Sequence, residues 1–264
     1  ATLFIALKSA RNNGHAFISD LIARGVKAFL VQENEINILD YKKHDVSFIV
    51  SKSPLLALQE LAAHHRKQFS IAVIGVTGSN GKTIVKEWLF QLLRNDYNIV
   101  RSPKSYNSQV GVPLSVWQIN DEHSLGIFEA GISRNQEMQQ LAAIIKPSIG
   151  ILTNIGEAHA EGFESKQQKL LEKLKLFKYC ELFIYSPDYT NGINEIDLPG
   201  KRKFSWSFTV PADLKVTNVV HVEGKSLITA IYKEQEINCS IPFSDKAAIE
   251  NGIICWATLL ALGY

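Results

Sequence analysis

The 264 residues include 46% hydrophobic and 20% charged side chains, the balance of an ordinary globular protein and not of a disordered or fibrous one. Twenty-eight basic residues against 26 acidic ones, a formal charge of +2, exclude the strong positive field of a dedicated nucleic-acid binder. No apolar stretch approaches the roughly 20 residues that span a bilayer; Cys180, Cys239 and Cys255 form no C-x-x-C pair, which points to a reducing compartment, the cytoplasm.

Apolar runs alternate with helix-period segments for most of the length, the pattern of a parallel sheet with crossover helices. Residues 1–66 read as a small α/β N-terminal domain. It has strands at 3–7, 28–31 and 47–50, a helix at 19–24, and a second helix starting at Ser53 (N-cap) and Pro54 (first helical residue) and ending in the polar run 64–68. Residues 67–264 read as a larger α/β domain. Its strands fall at 70–76, near Ile99, and at 126–129, 149–153 and 182–185, with amphipathic helices at 84–94 and 136–145 between them. From Lys203 to Phe243 the pattern changes to short alternating strands and predicts a small antiparallel extension, including a hairpin of 215–222 with 226–232 around Glu223, Gly224 and Lys225. A closing helix over 245–262 stops at Gly263.

The strongest local signal is the run Thr77, Gly78, Ser79, Asn80, Gly81, Lys82, Thr83 between an apolar strand and a helix. Glycines let successive N–H groups and the positive helix end face an anion; Lys82 is placed to reach terminal phosphates and the Thr83 hydroxyl to ligate magnesium. The strict G-x-x-x-x-G-K-[ST] pattern is not met, because Val76 stands at its first glycine. The plain alternative is a glycine-rich turn with a solvated lysine.

VTGSNGKT at 76–83 resembles the T-G-[ST]-x-G-K-T loop of Mur ligases and of their relatives, the folylpolyglutamate synthases. Further stretches follow in family order: SYNSQVGVPL at 105–114, FEAG at 128–131, TNIGEAHAEGF at 153–163, and, near the start, LFIALK at 3–8 and GHAFI at 14–18. These resemble the segments of the Mur ligases that add D-alanyl-D-alanine. The departures are Ser105 and Ser108, where that branch has asparagines, and Ala247, where a histidine usually precedes the adenine-side asparagine, here Asn251.

The resemblance implies an α/β protein with a phosphate-loop-type parallel sheet, ATP and Mg²⁺ as cofactors, and nucleotide contacts from residues 77–83 and Asn251. It implies Asn107 at the substrate, and Thr83, Glu129 and His159 at magnesium. EKLKLF at 172–177 looks like the K-x-x-L-F segment that carries a carbamylated lysine, which makes Lys173 an anionic metal ligand, with Lys175 competing for the position. On the residues alone, the lysines at 166, 169, 173 and 175 read as a solvated helix face, Glu129 as a solvated strand end and His159 as a loop histidine. Lys82, Glu129, His159 and Lys173 are the implied catalytic set. The implied reaction phosphorylates the terminal carboxylate of UDP-N-acetylmuramoyl-tripeptide with ATP, and D-alanyl-D-alanine displaces the phosphate. Residues 1–66 then form the uridine-side domain, incomplete at its start, and a third, C-terminal ligase domain is missing. The Ser-x-Asn-Ser variant resembles the branch joined to a downstream alanine racemase. Two rival readings stand beside this one: a folylpolyglutamate synthase, and a nucleotide-binding module without catalysis.

Overall fold

The computed structural model describes residues 2–156, 162–190, 197 and 199–264. They divide into two compact units, Ala1–His64 and His65–Tyr264. The first contains β1 (Leu3–Ile5), α1 (Ile18–Ala23), β2 (Ala28–Gln32), β3 (Ser47–Ser51) and most of α2 (Pro54–Arg66). Its strands form a parallel sheet in the order β1-β2-β3. Ala6, Ile18, Phe29 and Val31 are its buried core. The strand predicted over 3–7 stops at Ile5, because the chain turns back: Lys8 bridges to Asn13 and the Gly14 amide donates to the Leu7 carbonyl at 2.8 Å. Ser53 begins α2 as expected, its Oγ accepting from the Leu56 amide.

The second unit holds a nine-stranded sheet in the order β12-β11-β10-β9-β8-β7-β4-β6-β5. In chain order the elements are β4 (Ala72–Thr77), α3 (Lys82–Leu93), β5 (Ile99–Arg101), α4 (Gly111–Val116), β6 (Leu125–Glu129), α5 (Glu137–Ile145), β7 (Ile149–Leu152), α6 (Lys166–Leu174) and β8 (Leu182–Tyr185), followed by β9 (Arg202–Ser207), β10 (Leu214–Val222), β11 (Lys225–Tyr232), β12 (Gln235–Ile241) and α7 (Lys246–Leu262). From β5 to β10 all neighbours are parallel; only β10-β11 and β11-β12 are antiparallel. The sequence reading began the antiparallel extension at Lys203, but β9 continues the parallel sheet. Phe204, Ser205, Trp206 and Ser207 are all buried there, so both faces of the strand are covered, as a parallel strand requires. The hairpin at Glu223–Gly224 forms where expected, both residues in the left-handed region.

β4 sits in the middle, with β6 on one side and β7 on the other. Open parallel sheets bind ligands outside the carboxyl ends of strands flanking such a switch point. Thr77, Glu129 and Thr153 all stand there, at or just past the ends of β4, β6 and β7. The apolar layer beneath comprises Val85, Leu89 and Leu93 of α3, Ile74, Val76, Ile127, Ile151 and Ile184 of the sheet, and Ile253, Ile254 and Ala257 of α7. The polar run 64–68 ends α2 where expected, with Arg66 as its one buried member. Within the second unit, Arg66 is buried and donates to the carbonyls of Phe69, Ile71 and Ile145. Among the described residues no helix is long and apolar enough to cross a membrane.

Candidate functional site

α3 begins at Lys82, not at Ile84, because Gly81 at φ +80° serves as its N-cap and lets the chain enter the helix from a left-handed turn. Gly81 has no side chain with which to cap this end, so its first amides face outward with the positive helix dipole behind them. The preceding loop is clamped from the β7 side. The Ser79 amide donates to the Asn154 carbonyl, the Asn80 amide to Asn154 Oδ1, the Thr153 hydroxyl to the Asn80 carbonyl at 2.6 Å, and the Gly156 amide to Ser79 Oγ. Thr77 Oγ1 fastens the start of the loop to the Ala130 carbonyl at 2.7 Å. At Gly78, φ is +149° and an added β-carbon would lie 1.9 Å from Thr153 Oγ1, so the clamp itself demands glycine.

Lys82 folds back on the loop, its Nζ donating to the carbonyls of Gly78 (3.0 Å) and Ser79 (3.1 Å). Lys173 reaches the same Gly78 oxygen at 3.1 Å from α6 and is 1% exposed. This corrects the solvated-face reading of that helix: Lys169 and Lys173 are buried, and Glu172 between them accepts from the Met138 amide. Lys175 instead pairs with Glu172 at the surface. The structure therefore brings Lys173 to the loop and leaves Lys175 away from it.

Glu129, 0% exposed, is likewise not the solvated strand end of the plain reading. Its Oε2 accepts from Thr83 Oγ1 at 2.9 Å, while its Oε1 has no hydrogen-bond partner among the described residues. Burial raises the Glu129 carboxyl above its ordinary value, against the opposing pull of the Thr83 hydroxyl, Lys86, Lys82 and Asn107. Thr83 and Glu129 form a pair of hard oxygen donors with one carboxylate oxygen that accepts no hydrogen bond from a described residue, a set that fits a magnesium ion. Among the described residues no group of three or more His, Cys, Asp or Glu side chains offers a fuller metal cage. Asn107 adjoins the pair, and its carbonyl accepts from the Gly131 amide at 2.8 Å. His159 lies outside the described residues.

Asn251 sits at the far side of the loop, on α7, with its carboxamide over Gly81. Next to it, Glu250 accepts from the Tyr189 hydroxyl at 2.7 Å, and both line a cleft of about 580 Å³ with Phe208, His221 and Lys246. Sequence reasoning gave no role to Thr153 or Asn154 as clamps, or to Lys86 of α3. Lys86 left a legible signal, since it stands on the buried stripe of Val85, Leu89 and Leu93 where a cation needs partners.

Fold and loop together define an open parallel α/β protein with a phosphate-binding-type turn at the switch point of its sheet. The family model of the Mur ligase middle domain matches residues 76–259, and the chain belongs to the Mur ligase family. It is 31% identical over 271 aligned positions to a UDP-N-acetylmuramoyl-tripeptide–D-alanyl-D-alanine ligase of Borreliella burgdorferi, covering 99% of this chain and 57% of that protein. Among solved structures it resembles MurF from Acinetobacter baumannii (TM-score 0.86, 24% identity, 99% of this chain and 57% of that one) and MurF ligase from Thermotoga maritima in complex with ADP (TM-score 0.84, 23% identity, 99% and 60%). The chain thus spans a little over half the length of these relatives.

Proposed function

We propose that the chain is the N-terminal and middle part, residues 1–66 and 67–264, of a cytoplasmic ATP-dependent ligase that joins D-alanyl-D-alanine to UDP-N-acetylmuramoyl-tripeptide in peptidoglycan precursor synthesis. The observation that carries this reading is the juxtaposition of the uncapped start of α3, with Lys82 and Thr83, and the buried carboxylate of Glu129. The match to the Borreliella ligase, which extends through the first unit, supports this branch over a folylpolyglutamate synthase.

Phosphoryl transfer needs positioning and charge neutralisation more than a covalent catalyst. Lys82 leaves the loop carbonyls and carries its charge to the transferring phosphoryl group, and the amides at the start of α3 hold the phosphate chain. Thr83 and Glu129 would hold magnesium, and His159 and a carbamylated Lys173 a second ion. Bound there, the metal supplies charge neutralisation on the phosphate oxygens. Asn107, beside Glu129, faces the acyl substrate, whose carboxylate attacks the γ-phosphate as the bond to the β-phosphate breaks and ADP leaves; the amine of D-alanyl-D-alanine then attacks the acyl carbon and expels phosphate, losing a proton as the amide forms. The Ser105 and Ser108 variant supports the branch joined to alanine racemase.

The test measures phosphate release with both substrates and Mg-ATP in the full-length protein. The expected result is loss of activity by roughly 10²–10³ in Lys82→Ala. Near-normal release from Lys82→Ala, or turnover of a folate in place of the UDP-sugar, overturns the assignment.

A further inference from the structure

Lys86 is 0% exposed and lies one helical turn after Lys82 on α3. A buried ammonium is costly unless it is surrounded by acceptors, and this one is. Its Nζ donates to the Ser102 carbonyl at 2.6 Å and to the Lys104 carbonyl, lies 3.0 Å from Glu87 Oε1, and is 3.9 Å from Glu129 Oε1. The two carbonyls begin the segment that leads from β5 to Asn107. That segment needs a tether, because Lys104 holds φ at +48°, a left-handed conformation unfavourable for a lysine. The same segment braces the metal side, for Ser102 Oγ accepts from the Glu129 amide at 3.2 Å.

We propose that Lys86 is a positioning residue for the acyl substrate: its buried ammonium fixes the 102–107 segment, and with it Asn107, against Glu129. This rests on the ligase reading above. Among the described residues the partners of Lys86 are Ser102, Lys104, Glu87 and Glu129, not the loop carbonyls, so its effect falls on the substrate side of the site and not on nucleotide affinity. Val85, Leu89 and Leu93 of the same helix pack into the apolar core.

The test compares Lys86→Met, Lys104→Gly and Lys82→Ala in the natural full-length protein, measuring ADP affinity, kcat, and KM for UDP-N-acetylmuramoyl-tripeptide. Lys86→Met is expected to raise that KM roughly tenfold and lower kcat by roughly ten- to a hundredfold, leaving ADP affinity within about twofold, because a displaced Asn107 misplaces one reactant only. A role limited to packing would reduce the amount of active protein, and so apparent kcat, without moving KM. Lys104→Gly keeps the buried ammonium, relieves the left-handed strain and loosens the exposed loop; a KM increase of roughly threefold is expected there, and it decides the matter if Lys86→Met does not fold. Unchanged KM in the folded variants, or an equal loss of ADP affinity, overturns the proposal. Phosphate release that survives Lys82→Ala overturns the ligase reading instead.

Discussion

The carboxamide of Asn251 closes over Gly81 so tightly that a β-carbon at position 81 would lie 2.2 Å from Oδ1. Gly81→Ala therefore meets two penalties: this clash, and the left-handed φ of +80°, which costs an L-residue about 1–2 kcal/mol. The thermal midpoint of the chain should fall by several degrees, and ADP binding should weaken as α7 is pushed from the loop. Adding Asn251→Ala removes the clash but not the backbone strain, so the double variant should be less impaired than the sum of the two singles. Strict additivity in thermal melts would show that the contact is not felt.

Thr153 ties the phosphate loop to β7 through one hydroxyl, and Thr153→Val removes that donor at nearly constant volume. The expected loss is about 0.5–1.5 kcal/mol, the usual net worth of one hydrogen bond. ADP affinity should fall with it, since the loop must then be ordered by the ligand. Calorimetric titration of ADP into both proteins reads this; equal affinities would mean that the remaining Asn154 bonds hold the loop alone.

Magnesium should raise the thermal midpoint of the ADP-bound chain, because an ion held only by the folded state stabilises it by mass action. Glu129→Gln keeps the size of the side chain but not the anion. In that variant ADP is expected to stabilise equally with magnesium and with a chelator. A magnesium response of wild-type size would remove Glu129 from the metal site.

In the first unit, His15 gives a pH dependence of its own. Asn13 Oδ1 lies 2.6 Å from Nδ1, and Nε2 accepts from the Gln32 amide, an arrangement that needs the neutral ring. Burial lowers its pKa below 6.5, against the pull of Glu35 and with the push of Lys8. In the unfolded chain the ring takes up a proton first, so its contribution is intact above 6.5 and is lost as pH falls from there through the lower folded value. Unfolding followed from about pH 8 to about pH 5 should show a steeper acid-side loss in the wild type than in His15→Gln. Parallel curves would contradict this.

Most of the sheet could be read from the sequence because each central strand is an unbroken apolar run bounded by turn residues, and the loop at 77–83 because glycine, lysine and threonine at that spacing have one common use. Two things were hidden. β9 looked like the start of the antiparallel extension because its alternation of lysine, serine and aromatic residues mimics a half-exposed strand, although both its faces are covered. Lys169 and Lys173 looked solvated because the anionic and carbonyl groups that receive a buried lysine lie far away in sequence: Gly78 is 95 residues from Lys173. Periodicity reports which face an apolar residue takes, but not where a long cation finds its partner.

The oxygen of Gly78 accepts from both Lys82 and Lys173, which makes this turn a small ion exchanger. A phosphate arriving here does not meet Lys82 as a naked cation; it takes it from peptide dipoles that already satisfy part of its charge. The gain on binding is only the difference between two oxygen ligands. Added salt screens the incoming phosphate but not a carbonyl in hydrogen-bond contact, so rising ionic strength hands the Lys82 ammonium back to the loop.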